Sequence, residues 1–95
     1  MNDKDYIQKL SKQMKEQYDK GIDFFERTEY EKSKGIFKNI IERMPDFLPA
    51  YNKLAVIEIF NDNYQKAEDI LYRILRKDAE FVPALLNLGN LEKEK

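Results

Sequence analysis

Phe47-Leu48-Pro49-Ala50 returns almost unchanged as Phe81-Val82-Pro83-Ala84, 34 residues later. The same offset pairs Tyr30 with Tyr64, Lys32 with Lys66, Ile36 with Ile70, Ile40 with Ile74, Leu54 with Leu88 and Glu58 with Glu92. Other pairs keep their character: Ser33 with Ala67, Phe37 with Leu71, Ile41 with Leu75, Ala55 with Gly89. A fixed period of this length confines the chain to stacked copies of one supersecondary unit, because each copy buries the same face against its neighbour.

Each unit reads as two helices. Pro49 and Pro83 fit a first helical turn, where the missing N–H has no intrahelical partner. Tyr51, Leu54, Ala55 and Ile59 then follow helical spacing, until Asn61-Asp62-Asn63 supplies turn formers. Asp62 with Gln65, and Thr28 with Glu31, read as capping boxes opening the second helices. Those helices carry Ser33, Ile36, Phe37, Ile40, Ile41 and Ala67, Ile70, Leu71, Ile74, Leu75, apolar faces wide enough to be buried. No segment alternates with period two for long, so strands are not expected. Tyr6, Leu10, Met14, Tyr18 and Ile22 form one i+4 stripe with no Gly or Pro before Gly21, which predicts one long first helix, about 3–26; a separate short capping helix is the alternative. The expected architecture is all-α, with five helices near 3–26, 30–43, 49–61, 64–77 and 83–93.

A 34-residue helix–turn–helix unit with this pattern resembles the tetratricopeptide repeat, which runs aromatic, Leu-Gly, aromatic, Ala, aromatic, Pro. The middle unit (48–81) has Tyr51, Leu54-Ala55, Tyr64, Ala67 and Leu71 at the matching places, and the first (14–47) has Gly21, Phe24, Tyr30, Ser33, Phe37 and Pro45. The third (82–95) shows Leu85 and Asn87-Leu88-Gly89-Asn90, stopping before its second helix, and 1–13 form an N-terminal extension of the single domain. Lys20, Glu58, Glu92 and Ala79 depart from the family pattern. The resemblance implies a right-handed α-solenoid of about 2.5 units. Small residues at Gly21, Ala55, Gly89, Ser33 and Ala67 let helices approach closely, and each pair has too little core to stand alone.

Composition narrows the function. With 95 residues the chain makes one domain. Lys plus Arg number 17 and Asp plus Glu 18, so the basic excess that drives nucleic-acid binding is missing. There is no Cys and no His, which removes disulfides, the commonest transition-metal ligands and the commonest general base. No cofactor, metal or catalytic residue is expected: the carboxylates are scattered and read as solvated helix faces, and no Gly-rich phosphate loop, nucleophile elbow or calcium loop occurs. Met1 to Leu10 lacks the apolar run of a signal peptide and no 20-residue apolar stretch exists, so the expected location is cytoplasmic, without membrane or nucleic-acid partners.

What the resemblance implies is a non-enzymatic protein-interaction module, an adaptor or scaffold, gripping a peptide in a concave groove lined by first helices. The matching positions are Lys15, Tyr18, Ile22, Phe25 and Glu26, then Asn52, Val56, Ile59 and Phe60, then Leu86, Asn90 and Lys93. The subfamily that holds acidic chaperone tails uses a Lys and Asn clamp; here Tyr18, Ile22, Lys53, Pro83 and Asn87 stand in those places, so the clamp is missing. The expected ligand is an apolar peptide or amphipathic helix, with Asn52 and Asn90 hydrogen-bonding its backbone. The alternative is a self-assembling solenoid, a possible homodimer joined through a leucine stripe of Leu85, Leu88 and Leu91 on the unfinished third unit. An RNA-binding helical repeat fits less well, since such chains are basic and this one has a pI of about 5.5.

Overall fold

The computed structural model describes residues 2–94, and all of the regular structure among them is helical. The six helices are α1 (Asp3–Ile7), α2 (Lys12–Glu26), α3 (Tyr30–Arg43), α4 (Leu48–Phe60), α5 (Tyr64–Lys77) and α6 (Val82–Glu94). From α2 onward each helix packs against the next where a short turn joins them, and α4 also touches α1 and α6. α4 is apolar around most of its circumference and buries eight residues, from Leu48 to Glu58, which makes it the centre of the molecule.

The expected second-helix faces are the buried ones. Ser33, Phe37 and Ile40 of α3, and Ala67, Leu71 and Ile74 of α5, are closed to solvent. On α3, the Ser33 hydroxyl donates to the Gly21 carbonyl of α2 at 2.8 Å. The Phe37 ring lies where a Cβ on Gly21 would stand, at 2.8 Å, so only glycine fits that crossing. The core falls into two clusters, one around Phe37, Phe47 and Ile57, the other around Leu71, Phe81 and Leu91.

Five helices become six because the first one breaks. Ser11 accepts from the Met14 N–H at 3.2 Å and caps α2, while Asn2 and Asp5 form a reciprocal box that starts α1. The two capped ends let α1 fold back onto α4 instead of extending α2 into water. Tyr6 then packs against both core clusters. Its ring meets Phe81 edge-on at 5.5 Å and its hydroxyl donates to Asp78 at 2.9 Å. A straight 3–26 helix would leave that side chain about 1.5 Å per residue farther out, beyond reach of α5.

The expected capping boxes at Thr28 and Asp62 are also replaced. Glu29 and Asn63 are the N-caps, and neither makes a side-chain cap bond. Thr28 and Asp62 instead adopt left-handed backbone, both with φ of 62°. Glu29 N–H reaches the Phe24 carbonyl at 2.9 Å and Thr28 N–H the Phe25 carbonyl at 3.0 Å. Asn63 to Glu58 (2.8 Å) and Asp62 to Ile59 (3.0 Å) repeat the arrangement. Both are Schellman motifs, so these residues end a helix rather than begin one.

Candidate binding surface

Glu58, one of the positions that departs from the tetratricopeptide pattern, is 1% exposed. Lys34 of α3 lies 3.2 Å from one of its oxygens; Lys66 of α5, at 3.6 Å, and the Asn63 amide, at 3.3 Å, reach the other. Burial raises the Glu58 pKa, but the hydrogen bond and charge of Lys34, the charge of Lys66 and the Asn63 amide outweigh it and hold the carboxyl below its usual value. The cluster ties three helices together and leaves Lys34 mostly covered, a structural use of charge in a fully partnered site.

The predicted groove residues divide into two groups. Tyr18 and Asn52 are interior, each 4% exposed. The Tyr18 ring packs on Phe47 at 5.3 Å and Phe37 at 5.8 Å, because its turn of α2 faces α3 and the turn that follows it. Burial, then the charges of Asp3 and Asp19, push the Tyr18 phenol up. Asn52 accepts from the Asn87 side chain at 2.8 Å, joining α4 to α6, so its carbonyl is spent inside the protein. Neither residue lines an open surface.

Ile22, Phe25, Val56 and Ile59 are half-buried, while Phe60, Leu86 and Asn90 are exposed. Phe60 is 57% exposed although its ring stacks on Tyr30 at 5.5 Å and 14°. Phe25 completes the group, 5.7 Å from Tyr30 and 6.1 Å from Phe60, with the Lys53 ammonium 5.2 Å from its ring centre. Three aromatics from α2, α3 and α4 thus meet at one place, with a cation beside them. The role of Tyr30 was missed from sequence because it lies on a second helix. Its repeat mate Tyr64, also next to a turn, was the available signal.

The leucine stripe on α6 changes membership. Leu91 is fully buried and Leu88 half-buried, whereas Leu85 is 48% exposed. The open stripe is Val82, Leu85, Leu86 and Gly89, spaced i, i+3, i+4, i+7. α6 is rotated so that Leu91 enters the cluster formed with α5, which turns Leu88 with it.

Among the described residues no group of three or more carboxylates could hold a metal ion, and no helix is long and apolar enough to cross a membrane. Comparison with protein-family models, curated proteins and solved structures finds no match.

Proposed function

We propose that this chain is a non-enzymatic, tetratricopeptide-like adaptor whose α2, α4 and α6 share a face that holds an apolar, helix-forming peptide. The observation that carries the reading is Phe60, a large aromatic fixed by ring stacking yet more than half open to water. A ring held in place loses little freedom when a ligand covers it, so burial translates into affinity. Leu86, 64% exposed, extends the apolar surface onto α6, and Asn90 is the amide left to orient a peptide backbone. The way α1 lies on α4, one short helix anchored by one aromatic, is the kind of contact a ligand would make on the open part.

The reading is tested by selecting peptides from a display library against the full chain and measuring the best sequence by calorimetry. Phe60→Ala and Phe25→Ala are expected to weaken it by about tenfold or more, in line with aromatic anchors costing about 2 kcal/mol. Circular dichroism should retain most of the helicity. Loss of the fold in both variants would make these residues core. Binding that survives both but fails with Lys38→Glu, at an exposed position of α3 two turns from Tyr30, would move the function away from the aromatic cluster.

A further inference from the structure

We infer that α1 is an exchangeable internal ligand: it fills a socket built by Phe81, Asp78 and Lys53, and the partner that replaces it is a peptide of the same chemistry, a short helix with a tyrosine three residues after a carboxylate. The repeat shows that this socket is filled from outside. Phe47 and Phe81 are equivalent positions. Tyr18 meets Phe47 edge-on at 5.3 Å, and Tyr6 meets Phe81 edge-on at 5.5 Å. The repeat equivalent of Tyr18 is Asn52, whose side chain is engaged by Asn87. The second unit thus has no aromatic of its own at that place for Phe81 and borrows one from a segment outside the repeat. Asp78 makes the socket selective for tyrosine, because its carboxylate accepts from the Tyr6 hydroxyl at 2.9 Å. A phenylalanine ring would fill the same space and leave this bond unmade.

α1 is held loosely enough to leave. None of its five residues is fully buried, and Asp3 Oδ1 is enclosed without a hydrogen-bond partner, which counts against the docked form. Undocking alone would uncover Phe81, which is now closed to solvent, so the socket favours exchange of one ring for another over standing empty. It also adjoins the aromatic cluster. The charge of Lys53 acts on Asp3 of α1, and its ammonium lies 5.2 Å from the Phe25 ring centre. Lys53 and Phe60 are about 10 Å apart along α4 at 1.5 Å per residue, so a ligand helix of two to three turns that covers Phe60 reaches the place α1 occupies. Here the inference rests on the peptide face proposed above. With α1 docked one end of that face is shut, and a ligand bringing its own tyrosine and carboxylate opens it by taking the socket.

The probe is a synthetic peptide of residues 2–11, titrated into the isotopically labelled full chain bearing Tyr6→Ala and followed by the amide signals of Asp78 and Phe81. Saturable shifts of both are expected, and the same peptide carrying Tyr6→Ala should produce none. The parent chain should take the peptide about tenfold or more weakly, because tethered α1 competes at a local concentration of about millimolar. If Tyr6→Ala loses helicity by circular dichroism, Asn2→Gly with Asp5→Gly frees the socket instead, by unmaking the capping box that starts α1. A peptide selected from the display library should likewise bind the freed chain about tenfold or more tightly than the parent. The inference is overturned if residues 2–11 leave the Asp78 and Phe81 signals unmoved, or bind parent and freed chain equally. Equal binding of the selected peptide to both chains overturns the gating of the peptide face by α1, while Phe60→Ala decides that face by itself. A dimer in sedimentation that Tyr6→Ala dissolves would also overturn the inference, since α1 would then be exchanged between copies.

Discussion

Thr28 shows how a single position can carry two opposite readings. A threonine three residues before a glutamate is a sound capping signal, yet a β-branched residue at φ of 62° is what the chain adopts, because the Schellman bonds around it close α2. The glycines are similarly ambiguous in sequence, since the repeat makes Gly21 and Gly89 equivalent. Tertiary contacts separate them. Gly21→Ala is expected to destabilise by about 1–3 kcal/mol, because the Phe37 ring is held by Tyr18 and cannot retreat. Gly89→Ala is expected to stabilise by up to about 1 kcal/mol, the gain in helix propensity with no clash to offset it. Urea denaturation of the two variants checks the opposite signs.

At the scale of elements, α1 is the one whose position rests on few contacts, and Tyr6 provides the chief of them. Partial burial, the hydrogen bond to Asp78 and the charges of Asp78, Asp5 and Asp46 push the Tyr6 phenol up to about 12. A phenol with a raised pKa in the folded state contributes stability that is complete below pH 10 and lost as pH rises toward 12. Tyr6→Phe should therefore cost about 1 kcal/mol at neutral pH, the worth of the hydrogen bond. The difference between parent and variant should shrink above pH 10, followed by urea midpoints and by hydrogen exchange of the α1 amides. Asp3 acts in the other direction. Burial raises its pKa, the Lys53 charge only partly offsets this, and its Oδ1 is buried without a hydrogen-bond partner. Protonation as the pH falls toward its raised pKa thus favours the docked α1. The i+4 stripe from Tyr6 to Ile22 was legible as one amphipathic surface, but a stripe does not say whether the helix bearing it is continuous. Ser11 was the visible break signal.

Over the whole molecule, the two core clusters share Tyr6 and Ile70 at their borders, and the Glu58 cluster joins α3, α4 and α5. Damage to one unit should therefore propagate to the other. Phe37→Ala and Leu71→Ala, both fully buried, are expected to destabilise by about 2–5 kcal/mol. Each should still give one cooperative transition, monitored by circular dichroism and tyrosine fluorescence together. A separate early transition in one probe would show that the units unfold independently.

Helix type, the bounds of α3 and α5, and the inward faces of Phe37, Ile40, Leu71 and Ile74 were determined by the sequence alone. Local periodicity and repetition are enough to say which side of a helix must leave water. The tertiary structure decided where α1 goes, that Tyr18 and Asn52 are consumed inside while Phe25, Tyr30 and Phe60 meet at the surface, and that α6 turns Leu91 inward and Val82 and Leu85 out. These outcomes depend on helix rotation and on partners far along the chain. A rotation of a few tens of degrees exchanges a buried leucine for an exposed one without altering the pattern that marks both as apolar.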